Sequence, residues 1–220
     1  MTHVPPRLVL VPTPLEFDFL RPRLQSAQNV IMDICGFGPV AAAARAGQLI
    51  HAYQPGLVLL VGIAGCIGDS LEVGRAYQFT QAAMYGVGAG TGDSFIRAGE
   101  LGWSQWWSGN HHGGRLPEQI GDVIAFCRPQ PDHGLPDRQL LTCCAASSTK
   151  ADIRGRLRTF PEAVAEDMEG YSVAIAAQLC GRPLRIVRGI SNRAGDRHKA
   201  RWKVHDALHA AAEMTLEVLK

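Results

Sequence analysis

Apolar residues along the chain fall into short continuous runs, separated by stretches whose apolar positions repeat at helical spacing. RLVLV (Arg7–Val11) is apolar and β-branched and is closed by Pro12 and Pro14, which predicts a buried strand feeding a loop. NVIMDICG predicts a second strand, and GFGPVAAAARAGQLIHAY a helix in which Pro39 suits the first turn and the alanines sustain it. PGLVLLVGIAG reads as a strand entering a glycine turn, and GRAYQFTQAAMYGV as one strand of weaker alternation. Further on come a strand in QLLTCCAASS, a helix in TKADIRGRLRTF and a strand in EAVAEDM. EGYSVAIAAQLCG is then a helix stopped by Gly181, PLRIVRGIS a strand, and RWKVHDALHAAAEMTLEVL a closing amphipathic helix. From Gly86 to Arg115 glycines recur without a period, with Trp103, Trp106 and Trp107 among them, so a long loop is expected. Ile120 to Phe126 reads as helix or strand, and RPQPDHGLPD as a Pro-rich loop.

Strands alternating with helices, several of the strands apolar throughout, predict an α/β fold with helices on both faces of the sheet. Ligands in such sheets collect at the carboxyl ends of strands. That rule places the glycine turn after Val61, the Met168–Glu169 pair and the Ser191–Asn192 pair on one rim.

Composition narrows the function classes. A chain of 220 residues with 46% hydrophobic and 19% charged residues fits a single globular domain, residues 1–220. A net charge of +2 without a basic stripe argues against a nucleic-acid partner, and no apolar stretch reaches membrane-spanning length. The N-terminus lacks the basic start and small-residue cleavage site of a signal peptide, so a cytoplasmic protein is expected. Cys35, Cys66, Cys127, Cys143, Cys144 and Cys180 form no CxxC pair and sit mostly in apolar or small-residue surroundings. They are expected to be buried small hydrophobes in a reducing compartment.

Several motifs carry candidate chemistry. GFGPVA resembles half a dinucleotide fingerprint, but no Asp or Glu lies between Asp33 and Asp69 to hold a ribose, so a tight strand-to-helix turn is expected. His205 and His209 in HDALH have the spacing of a zinc helix without a further convincing ligand, and a polar helix face is expected. His111 and His112 fall in the glycine-rich loop as solvated side chains. The three tryptophans there could wall a base or simply pack the loop down. Glu169 opens an apolar helix, where a carboxylate sits in favourable dipole potential and can accept two hydrogen bonds from a vicinal diol; a plain first-turn acid is the alternative. Asn192 ends a strand, and its amide can donate and accept at once, unless it is only a turn or cap residue. Glu16 follows a proline-rich strand exit, a place where a carboxylate is often only solvated.

VPTPLE, GFGPVAAA, VGIAGC, EDMEG and RGISN, taken together and in this order, resemble the purine nucleoside phosphorylase and nucleosidase superfamily. The resemblance runs from about Leu8 to the final helix. It is strongest to the futalosine-hydrolysing branch, most tellingly in RGISNRAGDRHKARWKVHDAL. It implies a single-domain, three-layer α/β fold around a mixed twisted sheet, assembled as a homo-oligomer. It implies a small-molecule nucleoside substrate and neither a metal nor an organic cofactor. By position, Glu16 is implied to activate water, Met168 to pack on the sugar and Glu169 to grip the ribose hydroxyls. Ser191 and Asn192 are implied to face the purine, Ala64 and Gly65 to lie near base and sugar, and Ala146 and Ser147 to belong to the base-stacking segment.

Two departures from the superfamily's pattern sharpen the expectation. Leu60 stands where bacterial phosphorylases carry a phosphate-holding arginine, which favours water over phosphate as the nucleophile. Asn192 replaces the aspartate of adenine-directed nucleosidases; an amide can donate to O6 while accepting from a protonated N7, which suits hypoxanthine. Hydrolysis of futalosine to hypoxanthine and dehypoxanthine futalosine, in the alternative route to menaquinone, is the expected activity, with a methylthioadenosine/adenosylhomocysteine-type or aminodeoxyfutalosine nucleosidase as the alternative. Asp167 stands where related sequences often carry Glu.

Overall fold

In the computed structural model, residues 4–108, 118–126 and 137–220 are described. The chain opens with strand β1 (Arg7–Val11), helix α1 (Pro14–Leu24), strand β2 (Val30–Ile34), helix α2 (Pro39–Tyr53) and strand β3 (Leu57–Cys66). Strands β4 (Ala76–Phe79) and β5 (Gln81–Tyr85) follow, then the short β6 (Gly88–Ala89), β7 (Ile96–Arg97), β8 (Trp106–Trp107), β9 (Gln119–Ile120) and β10 (Val123–Ala125). The last part holds β11 (Gln139–Cys143), α3 (Lys150–Thr159), β12 (Ala163–Asp167), α4 (Gly170–Leu179), β13 (Leu184–Arg193) and α5 (Val204–Val218).

Nine strands form one mixed sheet in the order β10-β5-β11-β12-β3-β1-β2, with β13 along β3 and β4 beyond β13. β2, β1, β3 and β13 are parallel neighbours, whereas β12 meets β3 antiparallel. Alternation along the central strands divides the core in two. Leu8, Leu10, Val58, Leu60 and Ile186 turn toward α2 and α4, while Val9, Val11, Leu59, Val61 and Val187 turn toward α1 and α5. These are the three layers expected. A Cβ on Gly189 of β13 would come within 2.0 Å of the Ala207 carbonyl oxygen of α5, so only glycine lets that helix lie so close to its strand. No described helix is long and apolar enough to cross a membrane.

The predicted elements recur with four differences. The segment after Pro12 is helix α1 rather than loop: Thr13 is its N-cap and Pro14 its first residue. GRAYQFTQAAMYGV is two strands broken at Thr80, because β4 pairs with β13 while β5 pairs with β11. The Gly86–Arg115 region carries short strands and 3-10 turns in its described part; Trp103 and Trp107 are exposed, and Trp106 packs on the core. Cys35, Cys66 and Cys143 are buried as expected, but Cys144 in the loop after β11 and Cys180 at the end of α4 are exposed. Cys127, His111 and His112 lie outside the described residues.

Candidate active site

The site is built where the sheet changes partners. β3 pairs with β1 up to Leu60, and on that same side meets β12 only at Gly65 and Cys66. The edge between them is open, and the Ile63 N–H exposed there donates to Glu16 Oε1 at 3.0 Å. Divergence of neighbouring strands at their carboxyl ends makes a crevice of this kind. Glu16 reaches it from the first turn of α1. Thr13 Oγ1 accepts from the Glu16 N–H at 3.3 Å and donates to Glu16 Oε2 at 2.5 Å. Thr-x-x-Glu with proline at the first position is a helix-start signature in which the Glu ordinarily turns back to the N-cap amide. Here its carboxylate is directed to β3 instead.

A second charged group fills the same crevice. Arg188 on β13 has no exposed surface and is the largest fully buried side chain among the described residues. A Cβ on Gly62 would lie 2.4 Å from Arg188 Nη1 and 2.6 Å from Glu16 Oε1, so the missing side chain is what lets both groups enter. Arg188 Nε and Nη2 donate to Asp167 Oδ2 at 3.1 and 2.5 Å, and Nη2 also to Glu169 Oε2 at 3.2 Å. Asp167 is fully engaged: it also accepts from the Thr142 hydroxyl at 2.7 Å and from the Gly170 N–H at 2.8 Å. Glu169, the N-cap of α4, reaches across to accept from the Gly38 N–H at the head of α2, at 3.0 Å. The GFGPVA turn thus lends a backbone amide to this site. Arg188 Nη1 is buried and makes no hydrogen bond among the described residues.

Three buried carboxylates, those of Glu16, Asp167 and Glu169, therefore surround one guanidinium. Burial opposes the charge of Arg188, but Asp167, Glu169 and Glu16 outweigh it and hold its pKa above the usual range. Burial pushes the Glu169 carboxyl from 4.5 up to about 7, with Asp167 and Glu16 adding to the rise and Arg188 and the Gly38 amide opposing it. Folded Glu169 thus binds its proton more tightly than unfolded Glu169, so this group makes stability fall as pH rises from 4.5 to about 7. Burial also raises the thiol of Cys35, which lies near Arg188, Glu169 and Glu16, to about 12.

The polar pair at the end of β13 forms the other side. Asn192 lies opposite Gly65 in register, after a bulge at Ser191, and its Nδ2 is 3.4 Å from where a Gly65 Cβ would be. Ser191 Oγ donates to Asn192 Oδ1 at 2.8 Å and lies 3.3 Å from the Ala64 carbonyl oxygen; Asn192 Nδ2 donates to the Arg193 carbonyl at 2.8 Å. Met168 is half-buried between Asp167 and Glu169. Ala146 is exposed, and the Ser147 hydroxyl is buried against Glu166 at 2.6 Å.

The structure therefore brings Glu16 and Glu169 to one charged cluster, and Ala64, Gly65, Ser191 and Asn192 to a polar row beside it. Ser147 is joined to that row only through Glu166. The sequence reading missed Arg188 and Thr13. The TPLE capping signature could have revealed Thr13; an arginine inside an apolar strand run, LRIVRG, was the available sign of the other. Leu60, by contrast, is buried in the core facing α2 and α4. His205 packs edge-on against Phe19, and His209 faces Glu213 at 3.6 Å. Among the described residues no group of three or more His, Cys, Asp or Glu could hold a metal ion.

The family model of the phosphorylase superfamily matches residues 8–220. The chain belongs to the phosphorylase superfamily. Relatives within the superfamily include a futalosine hydrolase of Acidothermus cellulolyticus, 32% identical over 69% of this chain and 59% of that protein. The match thus spans about three-fifths of that relative's length. A futalosine hydrolase of Streptomyces coelicolor is 28% identical over 81% of this chain and 73% of that protein. The fold matches a 5'-methylthioadenosine/S-adenosylhomocysteine nucleosidase of Colwellia psychrerythraea in complex with adenine. That match has a TM-score of 0.75 at 18% identity, covering 99% of this chain and 95% of the other.

Proposed function

We propose that the protein hydrolyses the N-glycosidic bond of futalosine, releasing hypoxanthine and dehypoxanthine futalosine, and so serves the alternative route to menaquinone. The observation that carries hydrolysis is the Glu16 carboxylate, fixed by Thr13 and Ile63 and sharing the space beside Gly62 with the unpartnered Nη1 of Arg188. A water in that space would accept from Arg188 and donate to Glu16, which takes its proton as it attacks the anomeric carbon. Phosphate is disfavoured there. Although the crevice does hold a guanidinium, its charge is already shared by Asp167 and Glu169, and a dianion would meet three carboxylates.

Glu169 accepts from the ribose hydroxyls and places negative charge beside the sugar as it becomes oxocarbenium-like. Met168 would pack on the sugar. As the C1'–N9 bond breaks, its electron pair leaves with the 6-oxopurine base, whose N7 takes a proton from solvent. Asn192, released from its local bonds, donates to O6 and accepts from that N7–H; a 6-amino group would set donor against donor. Sequence likeness to two futalosine hydrolases supports the same substrate.

The test offers futalosine, aminodeoxyfutalosine, inosine and methylthioadenosine in phosphate-free buffer and identifies the free base. Hypoxanthine from futalosine, unaffected by added phosphate, is the expected result. Adenine released from methylthioadenosine in preference would overturn the substrate assignment, and a requirement for phosphate would overturn hydrolysis.

A pH dependence follows from Glu169. Protonation removes the charge that accepts the diol, so KM should rise as pH falls through about 7. A KM that stays flat across that interval would show that Glu169 does not grip the substrate as an anion.

A further inference from the structure

A second buried ion pair lies beside the site and takes no part in the chemistry derived above. Glu166 of β12 stands opposite Gly65 in register, and Gly65 stands opposite Asn192, so the three form one row across the sheet. Residues opposite one another in a sheet project to the same face. The Glu166 side chain does not reach into the crevice, however. It accepts from the Ser147 N–H at 2.8 Å through Oε1, and from the Ser147 hydroxyl at 2.6 Å through Oε2. Arg156 of α3, itself 6% exposed, donates from Nη1 to both Glu166 Oε2 and Ser147 Oγ. Its Nη2 donates to the Ala145 carbonyl at 2.6 Å.

The rest of the segment is held as tightly. Asp152 Oδ2 accepts from the amides of Ser148 and Thr149 at 2.9 and 2.8 Å. Every residue from Ala145 to Thr149 is thus tied down except Ala146, which is exposed and precedes Ser147, the residue bonded to Glu166 at one end of the row. Burying a guanidinium and a carboxylate is costly unless the geometry is well satisfied, and a fold can often replace such a pair with apolar residues at no loss. Its position, joining α3 to the base-side row, gives it a task that apolar packing would not perform.

We propose that Arg156 and Glu166 are positioning residues for base binding: their ion pair holds the Ala145–Thr149 segment against the Glu166–Gly65–Asn192 row, and the affinity for the purine depends on it. The inference rests on the reading of that row as the base side, and not on which purine is bound.

Two variants test it, each read out by steady-state kinetics and by inhibition with free hypoxanthine and free adenine. Glu166→Gln removes the charge that Arg156 needs. Arg156→Lys keeps that charge but gives up the forked bonds to Ala145, Ser147 and Glu166 that only a guanidinium makes. It serves if the first variant does not fold. KM and the inhibition constant of the released base are expected to rise together by about tenfold, toward the low end of what removing one partner of a buried polar pair costs, with kcat within about threefold. A variant that merely loosened the fold would lose kcat and thermal stability without this split. An unchanged base inhibition constant in a folded variant would overturn the proposal. A wild type that frees adenine would overturn the 6-oxopurine assignment alone, since the tether then predicts weaker adenine binding. A wild type that binds neither base overturns both.

Discussion

Glu16→Gln is expected to lower kcat by about 10²–10⁴-fold while KM for the nucleoside changes little. The amide keeps the size of the side chain, and its oxygen still accepts from the Ile63 N–H that Glu16 Oε1 now satisfies. What it loses is the ability to take a proton from water. On the other oxygen, the bond donated by Thr13 Oγ1 becomes an encounter between a hydroxyl and an NH₂ group, from which the hydroxyl can rotate away. On the proposed reading, the nucleoside is held by Glu169 on the sugar and by the Asn192 row on the base, and neither is hydrogen-bonded to Glu16 among the described residues. Steady-state kinetics, with inhibition by free hypoxanthine as the control, separate the two effects. A variant that turns over at the wild-type rate would remove Glu16 from water activation. One that loses hypoxanthine inhibition as well as turnover would show that Glu16 shapes the site rather than working in it.

The same residue shows how much of the molecule was legible in its sequence. The apolar runs of β1, β3 and β13 and the helical spacing of α2, α4 and α5 identified the α/β architecture, because buried strands and amphipathic helices impose periods that few other arrangements tolerate. α1 escaped because it has no such stripe: PLEFDFLRPRL buries only Glu16, Leu20 and Leu24, and Pro22 lies inside it. Its start was nevertheless written in Thr13, Pro14 and Glu16. Glu169 and Asn192 could be picked out because they stand at the ends of recognisable elements. That Glu169 and Glu16 meet could not, since the Gly38 amide and the Ile63 amide that fix them come from distant parts of the chain. Ser147 shows the opposite limit. Its position in sequence suggests the base, but its amide and hydroxyl are both spent on Glu166.

Arg188 was the hardest residue to foresee and should be among the most costly to remove. In Arg188→Met the side-chain volume is largely kept, but Asp167 and Glu169 lose their shared cation in a site where both are buried. Breaking one side of a buried ion pair typically costs about 3–5 kcal/mol, because the remaining charge is left unsolvated and unpaired. The loss should be partly relieved by proton uptake at Glu169, whose pKa already stands at about 7 and loses the one cation opposing its rise. The variant should therefore be less unstable at pH 6 than at pH 8, a difference that urea titration at the two values would measure. Combining it with Glu169→Gln should cost less than the sum of the two single changes, by about 1–3 kcal/mol, as expected for groups in direct contact. Strict additivity, together with a loss that does not vary with pH, would mean that Arg188 stabilises the fold through Asp167 alone, with Glu169 left free to serve the substrate.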